Sequence, residues 1–307
     1  MQEIKIFSPA TVANVNCGFD TLGFALHDIG DEMILRKIPE RGIKIVNITG
    51  ADLPLETSKN VAGVAGLALL EHLNLDYGFE IEIKKNLRIG GGLGSSAASA
   101  AGVVFGINQF LKNPLSLEEL TYYGMKGEAV ASGNEHADNL APSIFGGFTL
   151  ITSYNPFHVV QLPLPSDLYV TIIQPHIEVK TKDAREILPE KVLLKDAIEQ
   201  SGNLAGFISG LYTEDYKLLA ESLKDVLVEP YRKSLIPLFK QAKDQAIKNN
   251  SLGFGISGSG PSMFALCKGE ETAKNVQKAL NKVYNDSEIN INSYVSKISD
   301  VGCKIIS

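Results

Sequence analysis

Alternation of apolar and charged residues marks the clearest strand of the chain. Between 79 and 84, Phe and Ile alternate with Glu and Lys, and this period of two predicts a half-buried strand. Ile4 and Ile6 follow the same rule near the N-terminus. Alternating or short apolar runs predict further strands within 33–49, around a turn at 40–42, and at 169–173, 263–267 and 294–298.

Ala-rich and Leu-rich runs and helix-start signals predict the helices. Ser116 and Glu119 form a capping box, in which the two side chains satisfy backbone N–H groups at a helix start, and this predicts a helix over 117–132. The other predicted helices cover 59–73, 95–111 and 271–284. Two segments, 8–24 and 133–147, are expected to be loops.

A cluster of three prolines between Asn155 and Pro165 suggests where the chain divides. Prolines interrupt regular structure and are common in linkers between domains. We therefore predict an N-terminal domain at 1–158 and a C-terminal domain at 159–307. A final strand near 294–307 is expected to be able to pack back on the N-terminal domain.

The composition argues against several classes of protein. The chain has 307 residues, with 29 Lys and Arg against 35 Asp and Glu, which gives a formal net charge of −6. Proteins that bind nucleic acid by charge cluster Lys and Arg on one surface, and the sequence has no such cluster. The longest aliphatic stretch, 61–70, is about half of the roughly 20 residues that span a bilayer. We expect neither a nucleic acid nor a membrane as a partner.

The cysteines and the N-terminus bear on the compartment. Cys17, Cys267 and Cys303 are odd in number and widely spaced, which disfavours a disulfide framework and a zinc site. The N-terminus lacks the basic and apolar regions of a signal peptide. The sequence therefore predicts a cytoplasmic protein.

A glycine-rich segment follows the strand predicted at 79–84. Glycine occupies four of the five positions 90–94, and Ser95 and Ser96 then open an Ala-rich helix. Such a strand, loop and helix start exposes backbone N–H groups that favour a phosphate. The segment has neither the Lys of a Walker A loop nor the glycine spacing of a dinucleotide loop. It predicts a nucleotide loop of another kind, and the alternative is a tight turn whose serines only cap the helix.

Several segments carry a resemblance to a known family. They are Gly92–Ala98, Gly255–Pro261, Ser8–Asn14, Gly18–Gly23 and His136–Pro142. The first two resemble the phosphate loop and the C-terminal glycine motif of the GHMP small-molecule kinases, which are named for galactokinase, homoserine kinase, mevalonate kinase and phosphomevalonate kinase. The other three resemble the homoserine kinase branch of that family.

This resemblance implies a fold and a reaction. The fold is the two-domain GHMP kinase fold of the α+β class. Its N-terminal domain resembles the ribosomal protein S5 domain 2-like fold, and its C-terminal domain is a ferredoxin-like α/β sandwich. The implied reaction consumes ATP with Mg²⁺ and phosphorylates the side-chain hydroxyl of L-homoserine, a step of threonine biosynthesis. A homodimer is also expected from the family.

The resemblance also assigns residues to ATP and to the metal ion. Ser96 and Glu128 take the positions of the magnesium neighbours, and Asn60 lies where the family places adenine contacts. Arg88 stands where most relatives have Pro. The ATP-binding residues implied are Asn60, Arg88, Ile89, Gly90, Gly91, Gly92, Leu93, Gly94, Ser95, Ser96, Ala97 and Ala98.

The substrate that the resemblance implies, L-homoserine, is a zwitterion with a primary hydroxyl, so its site requires an anion, a forked cation and a polar group beside the hydroxyl. Asp20 is the candidate for the ammonium group. Arg185 and Arg232 are candidates for the carboxylate, because a guanidinium binds it in a bidentate manner. Asn14 and His136 are expected to add hydrogen bonds to the substrate.

Asn139 stands where other branches of the family have a catalytic Asp, and Asn14, at the end of the Ser8–Asn14 segment, stands where they have a Lys. Both are candidate catalytic residues. An amide cannot accept a proton at neutral pH, so Asn139 is expected to orient the hydroxyl group. Phosphoryl transfer depends mainly on alignment and electrostatics. We therefore predict catalysis without a dedicated protein base.

Each assignment has a structural alternative. Asp20 is also a candidate for an Asx turn, both arginines for surface charges, Glu128 for a solvated helix position and His136 for a structural role. Asp138 is a candidate helix cap. The rival functions are a mevalonate or shikimate kinase of the same family, a catalytically silent relative that binds ATP or a metabolite, and a dinucleotide-dependent oxidoreductase.

Overall fold

The structure, a computed structural model, describes residues 2–132 and 136–306. The strands are β1 (Glu3–Ala13), β2 (Leu22–Ile38), β3 (Gly42–Thr49), β4 (Gly78–Lys84), β5 (Phe148–Tyr154), β6 (Phe157–Leu162), β7 (Leu168–Pro175), β8 (Gly253–Ile256), β9 (Met263–Lys268), β10 (Ile291–Lys297) and β11 (Lys304–Ile306). The helices are α1 (Val61–Leu73), α2 (Ser95–Asn108), α3 (Leu117–Ser132), α4 (Leu140–Phe145), α5 (Thr181–Glu186), α6 (Leu194–Thr213), α7 (Tyr216–Ser222), α8 (Glu229–Arg232), α9 (Phe239–Lys248) and α10 (Glu270–Asn285).

Seven strands of the described chain form the first sheet. Its main path runs β11-β1-β2-β4-β3, while β5 pairs with β2 and β6 pairs with β5. The long strand β2 pairs with β4 through Glu32–Ile38 and with β5 through Leu22–Phe24. Strands β3 and β4 are parallel, and α1 lies in the crossover between them. The sheet therefore contains strands from both ends of the chain.

The second sheet has the order β10-β7-β9-β8, and its neighbouring strands are antiparallel. Counted along the chain from β7, this is the spatial order 4-1-3-2. Helices lie between its first and second strands and between its third and fourth, which is the ferredoxin-like arrangement. The predicted two-domain α+β fold with a ferredoxin-like C-terminal domain is confirmed.

Helices α1, α2 and α3 pack together on the first sheet, with α2 almost entirely buried. Small residues let α2 approach the sheet closely. A Cβ atom on Gly106 would lie 2.5 Å from Cδ1 of Ile6, so glycine permits the contact. The capping box at Ser116 and Glu119 is present at the start of α3, with both side chains bonded to each other and to the backbone.

The two domains share an apolar core. Phe24 of β2 packs edge to face on Phe148 of β5, with ring centroids 5.1 Å apart, and on Phe264 of β9 at 6.0 Å. Phe207 of α6 lies 5.6 Å from Phe148. Because this cluster joins both sheets, neither domain has a separate core on that side.

The structure corrects three predictions. About half of 8–24 is strand, since β1 continues to Ala13 and β2 begins at Leu22, and only 14–21 form the loop between them. The pairing of β1 with β2 shifts register between Pro9 and Thr11. The first sheet continues through β6 to Leu162, so the boundary predicted at 158/159 falls inside a strand. The predicted loop at 133–147 contains α4, and its residues 133–135 lie outside the described part of the chain.

The ends of the chain and the helices bear on two other expectations. The strand expected near 294–298 is β10 of the second sheet, whereas β11 pairs with β1 of the first. None of the helices within the described ranges is both long enough and apolar enough to cross a membrane.

Candidate active site

A cavity of about 340 Å³ lies between the glycine loop and the C-terminal domain. It brings together segments that are far apart in the sequence. Its lining residues include Asn14, Asp20, Leu53, Pro54, Lys59, Asn60, Val61, Lys85, Ile89, Gly90, Gly91, Gly92, Gly94, Ser95, Ser96, Ser99, Glu128, His136, Asp138, Asn139, Thr181, Arg185, Arg232, Gly258 and Ser259.

The glycine loop lies between β4 and α2, as the sequence predicts. Helix α2 begins at Ser95, and its N-cap residue, Gly94, has a φ of 66° and provides no side-chain cap. The first backbone N–H groups of a helix without a side-chain cap are available to an anion. This end of α2 is therefore the candidate phosphate site.

The C-terminal glycine segment and the end of β7 hold the glycine loop in place. Oγ of Ser257 donates to the carbonyl oxygen of Gly92 at 2.6 Å, and Nε2 of Gln174 donates to that of Gly91 at 3.3 Å. A Cβ atom on Gly92 would lie 2.8 Å from the carbonyl oxygens of both Ser257 and Gly260. The two glycine segments therefore pack backbone to backbone, which only glycine allows at this position.

A buried ion pair lies beneath the phosphate site. Nζ of Lys85 bonds to the carboxylate of Asp31, and it also donates to the carbonyl oxygen of Ser95 at 2.7 Å and to Oγ of Ser99 at 2.9 Å. The Lys85 side chain is 1% exposed, and burial lowers its pKa against the attraction of Asp31. This pair ties β2 and the end of β4 to the first turn of α2.

Ser96 and Glu128 meet at the start of α2. Oγ of Ser96 donates to Oε2 of Glu128 at 3.1 Å. Burial raises the pKa of Glu128 to about 7, against the effect of the Ser96 hydrogen bond. A cation beside this carboxylate would favour its charged form. The structure thus brings the two predicted magnesium neighbours together.

Asn139 lies just before α4 and beside the glycine loop. Its Oδ1 accepts a hydrogen bond from Oγ1 of Thr11 at 2.8 Å. A Cβ atom on Gly94 would lie 2.2 Å from that Oγ1 and 2.9 Å from Oδ1 of Asn139. Asn139 therefore borders both the phosphate site and the rest of the cavity.

Charged side chains of both signs line the other side of the cavity. Nη1 of Arg185 donates to Oδ2 of Asp20 at 2.7 Å, and Nη2 of Arg185 lies 2.8 Å from Nε2 of His136. Burial lowers the pKa of His136, so its neutral form is favoured and Nε2 can accept from Arg185. Nε of Arg232 donates to the carbonyl oxygen of Ala184, and Nη1 to that of Gly258.

The ring of Phe19 is close to both arginines. The guanidinium carbon atoms of Arg185 and Arg232 are 5.2 and 5.1 Å from the centroid of its ring, within the range of cation–π interactions. The ring therefore holds the two guanidinium groups near each other.

Asp138 is a second carboxylate in this part of the cavity. It is 5% exposed, and burial together with the nearby charge of Asp20 raises its pKa to about 7. Its predicted role as a side-chain cap is not seen, because the N-cap residue of α4 is Asn139.

The β1–β2 loop presents Asp20 in a strained conformation. Asn14, Val15, Asn16 and Asp20 all have positive φ, which is unfavourable for Val in particular. Asn14 Oδ1 accepts from the backbone N–H of Asp20 at 3.0 Å, while its Nδ2 donates to the carbonyl oxygen of Gly258 at 2.9 Å. Asn14 therefore links this loop to the C-terminal glycine segment.

Most of the residues predicted from the sequence line the cavity, and four do not. Arg88 is exposed beside the loop, while the side chains of Leu93, Ala97 and Ala98 are buried in the apolar core. These three buried residues can contact ATP only through their backbone atoms.

Asn60 lines the cavity, but its side chain has other partners. It caps α1 by accepting from the N–H of Ala62, and it donates to the carbonyl oxygen of Pro54.

Three residues that support the site, Thr11, Lys85 and Asp31, were not predicted from the sequence. Thr11 lies within the Ser8–Asn14 segment, and the resemblance of that segment to the family indicated the region but not this hydroxyl group. Lys85 follows an alternating strand and resembles a surface lysine. Their roles depend on partners distant in the sequence, which no local pattern reveals.

Two parts of the chain match one known family. Residues 59–147 match the GHMP kinases N terminal domain, and residues 207–286 match GHMP kinases C terminal. Together with the two-domain fold, these matches define a kinase of the GHMP class.

Full-length relatives make the assignment more specific. A homoserine kinase from Chlorobium phaeobacteroides is 42% identical, with 100% of both chains covered. A solved homoserine kinase structure from Cytophaga hutchinsonii is 46% identical with a TM-score of 0.96, over 100% of this chain and 98% of that one. The chain belongs to the homoserine kinase family.

A galactokinase structure from Lactococcus lactis, solved with galactose, is 15% identical with a TM-score of 0.71, over 99% of this chain and 95% of that one. That similarity concerns the fold alone.

Proposed function

We propose that the chain transfers the γ-phosphoryl group of ATP to the side-chain hydroxyl of L-homoserine, giving O-phospho-L-homoserine for L-threonine biosynthesis. One observation carries the proposal: a single cavity joins the N-terminus of α2 to a cluster of anionic and cationic side chains. A phosphate requires the first, and a zwitterion requires the second. Mevalonate, shikimate and galactose carry no ammonium group, so they do not use the anionic half of the cluster.

The charged cluster would bind both ends of the amino acid. Asp20 is the acceptor for its ammonium group, and Arg185 and Arg232 are the donors for its carboxylate. The Asp20–Arg185 ion pair is already present in the cavity, so each group has a partner before the substrate arrives. A ligand with both charges replaces this pair without leaving either group unpaired. His136 would add a hydrogen bond, and Asn14 would act by holding Asp20.

The glycine loop and its surroundings would bind ATP. The triphosphate would lie against the loop at 90–94 and the first turn of α2, where Ser95 and Ser96 add hydroxyl groups. The adenine ring would lie against Leu53, Pro54 and Val61, which line the cavity. The contribution of Asn60 would be indirect, because its side chain holds Pro54 and the start of α1.

Ser96 and Glu128 would hold Mg²⁺ with oxygen ligands. In the described parts of the chain, no group of three or more His, Cys, Asp or Glu side chains is placed to hold a metal ion. A site with few protein ligands fits Mg²⁺, which keeps waters and takes its remaining ligands from phosphates. When bound, the ion would neutralise charge on the β- and γ-phosphates.

We propose that the reaction needs no dedicated protein base. Asn139 borders the phosphate site, and an amide cannot take the proton of the hydroxyl group. In a loose transition state, the hydroxyl group can lose its proton late, to the transferred phosphoryl group itself. Aligning the hydroxyl oxygen with the γ-phosphorus is then the main task of the chain.

Asp138 is the rival candidate for a base, because the residue lines the cavity and burial raises the pKa of its carboxyl to about 7. A general base contributes about 10² to 10⁴ in rate. We therefore expect Asp138→Asn to keep more than about a tenth of the wild-type kcat. A larger loss of kcat in Asp138→Asn, together with a wild-type kcat that decreases as the pH is lowered below 7, would identify Asp138 as the base.

The remaining expectations are part of the same proposal. We place the division between the domains at 163–167, between β6 and β7. The three cysteines are free thiols, which is compatible with the cytoplasmic location that we propose. A homodimer is proposed from the family alone.

A coupled assay of ADP release tests the proposed function. The chain is assayed with Mg-ATP and, separately, L-homoserine, mevalonate, shikimate and galactose. We expect turnover with homoserine only. Activity with another acceptor, or with none of the four, would contradict the proposal.

Two analogues of the substrate separate the roles of its charges. 4-Hydroxybutyrate lacks the ammonium group, and 3-amino-1-propanol lacks the carboxylate. Each would leave one member of the Asp20–Arg185 pair without a partner, so we expect kcat/KM to fall by at least about 100-fold with either. Equal use of 4-hydroxybutyrate and homoserine would contradict the role given to Asp20.

A further inference from the structure

We propose that Thr11 is the positioning residue of Asn139: its hydroxyl group fixes the Asn139 amide so that the NH₂ group faces the reacting phosphate and hydroxyl. The inference rests on the proposed function, and it concerns a residue that is not itself in contact with the cavity.

The position of Thr11 makes it suitable for this role. It is fully buried in β1, where the pairing of β1 with β2 shifts register between Pro9 and Thr11. Its backbone N–H donates to the carbonyl oxygen of Leu93 in the glycine loop at 3.2 Å, and its Oγ1 donates to Oδ1 of Asn139 at 2.8 Å. One residue thus connects the first strand, the phosphate loop and the segment before α4.

The two ends of an Asn amide differ in chemistry. The oxygen only accepts hydrogen bonds, and the nitrogen only donates them. Because the Thr11 hydroxyl group donates to Oδ1, Nδ2 of Asn139 is directed away from β1, to about 4.0 Å from where a Cβ atom on Gly258 would lie. Gly258 also lines the cavity, so the amide presents a donor to it.

The charge of the bound substrate favours the same orientation. A triphosphate in the glycine loop carries oxygen atoms with negative charge, which attract an N–H donor and repel an amide oxygen. The flipped amide would place its oxygen towards these atoms. A hydroxyl group can also accept from a flipped NH₂ group, so Thr11 holds the amide in place, and the charge of the phosphates selects the orientation seen in the structure.

Gly94 is necessary for this arrangement. Any side chain there would overlap the Thr11 hydroxyl group, since its Cβ atom would lie 2.2 Å from Oγ1. The φ of 66° at Gly94 also favours glycine. The loop that receives the phosphates is thus in direct contact with the pair that orients the amide.

A double-mutant cycle tests the proposal, with kcat and KM measured for both substrates. Thr11→Val keeps the shape of the side chain and removes the hydroxyl group. We expect kcat to fall about tenfold, which corresponds to one net hydrogen bond, and both KM values to stay within about threefold. Thr11→Ser should restore most of the lost kcat. In an Asn139→Ala background, Thr11→Val should change kcat by less than about twofold.

Thr171→Val is a matched control, because Thr171 is equally buried and donates to the carbonyl oxygen of Ala273, in the second sheet. It should lower the melting temperature about as much as Thr11→Val does and leave kcat unchanged.

Equal losses of kcat from Thr11→Val in both backgrounds, or no recovery in Thr11→Ser at wild-type stability, would overturn the proposal. A wild-type chain without homoserine-dependent turnover would instead refute the proposed function, so the two failures are distinguishable.

Discussion

Replacing Lys85 with Met tests how the phosphate site is supported. The ammonium group of Lys85 bonds to Asp31, and both side chains are almost fully buried. Removing one partner of a buried ion pair costs about 3–5 kcal/mol, because the other charge is left without compensation. Asp31 Oδ1 still accepts from the backbone N–H groups of Asn86 and Leu87, at 2.7 and 2.9 Å. We therefore expect a loss of about 3 kcal/mol, at the lower end of that range.

This loss can be converted into a melting temperature. The entropy of unfolding is about 2.1 cal/mol/K per residue, so for 307 residues it is about 0.65 kcal/mol/K. A loss of about 3 kcal/mol then lowers the melting temperature by about 5 °C. Because Lys85 also bonds to the carbonyl oxygen of Ser95, we expect a higher KM for ATP as well.

The measurement is thermal and urea unfolding of the ligand-free chain, with Lys84→Met as the matched control. Lys84 is the adjacent lysine, its side chain is 57% exposed, and it pairs with Glu32 at 2.8 Å. Its loss should cost less than about 1 kcal/mol. In Lys85→Met, the additional change Asp31→Asn should recover part of the stability. Equal effects of Lys85→Met and Lys84→Met would refute the reasoning.

Three further predictions concern the charged residues of the cavity. Glu128→Gln keeps the size of the side chain and removes the negative charge proposed for Mg²⁺, so kcat should fall at least about 100-fold. Titration with Mg²⁺ at fixed ATP should show that a higher Mg²⁺ concentration is needed for half-maximal activity. An unchanged Mg²⁺ concentration would contradict the metal assignment. Burial raises the pKa of Asp138 from 3.8 to about 7, so between these values the folded chain holds a proton that the unfolded chain loses. The free energy of unfolding should therefore decrease as pH rises from 4 to 7, by about 2–4 kcal/mol from this group. Urea unfolding at pH 5 and 8 should show a smaller decrease of this free energy in Asp138→Asn than in the wild type. An equal decrease in both would argue against a buried, protonated carboxyl. Arg232→Lys keeps the charge but loses the fork that bonds to Ala184 and Gly258; the KM for homoserine should rise about tenfold or more with little change in the KM for ATP, and an unchanged KM for homoserine would exclude Arg232 from the substrate site.

Sequence patterns correctly predicted those strands and helices that depend on residues close together in the chain. The strand β4 has strict alternation, and α3 has a capping box, so both lie close to the predicted positions. The order of strand, glycine loop and helix was also visible in the sequence. These features depend on residues that are neighbours in the chain, which is why one sequence was sufficient.

The first strand shows what a sequence cannot reveal in this way. Ser8 and Thr11 are polar, and they lie on either side of Pro9, so the segment resembles a loop. In the structure both are buried in β1, where Ser8 donates to the carbonyl oxygen of Ala98 at 2.7 Å and Thr11 to Asn139. Partners about 90 or more positions away satisfy these hydroxyl groups. Polar residues buried by distant partners leave no periodic signal.

More of the residues that form the site were predicted from the sequence than of the contacts between them. Asp20 and Arg185 were both candidates for the substrate, but their direct ion pair was not foreseen. Asn14 was a candidate catalytic group, and the structure shows both ends of its amide bonded to the backbone. Resemblance to a family identifies residues, whereas their roles depend on the atoms that they contact.

The most direct test of the account follows the phosphoryl group itself. The chain is incubated with Mg-ATP and L-homoserine carrying ¹⁸O in its side-chain hydroxyl group, and the products are followed by ³¹P NMR. We expect one new phosphomonoester resonance that grows as ADP forms and that shows the isotope shift of a retained ¹⁸O bridge. Release of inorganic phosphate without a phosphomonoester, or a phosphomonoester that has lost the label, would contradict transfer to that hydroxyl.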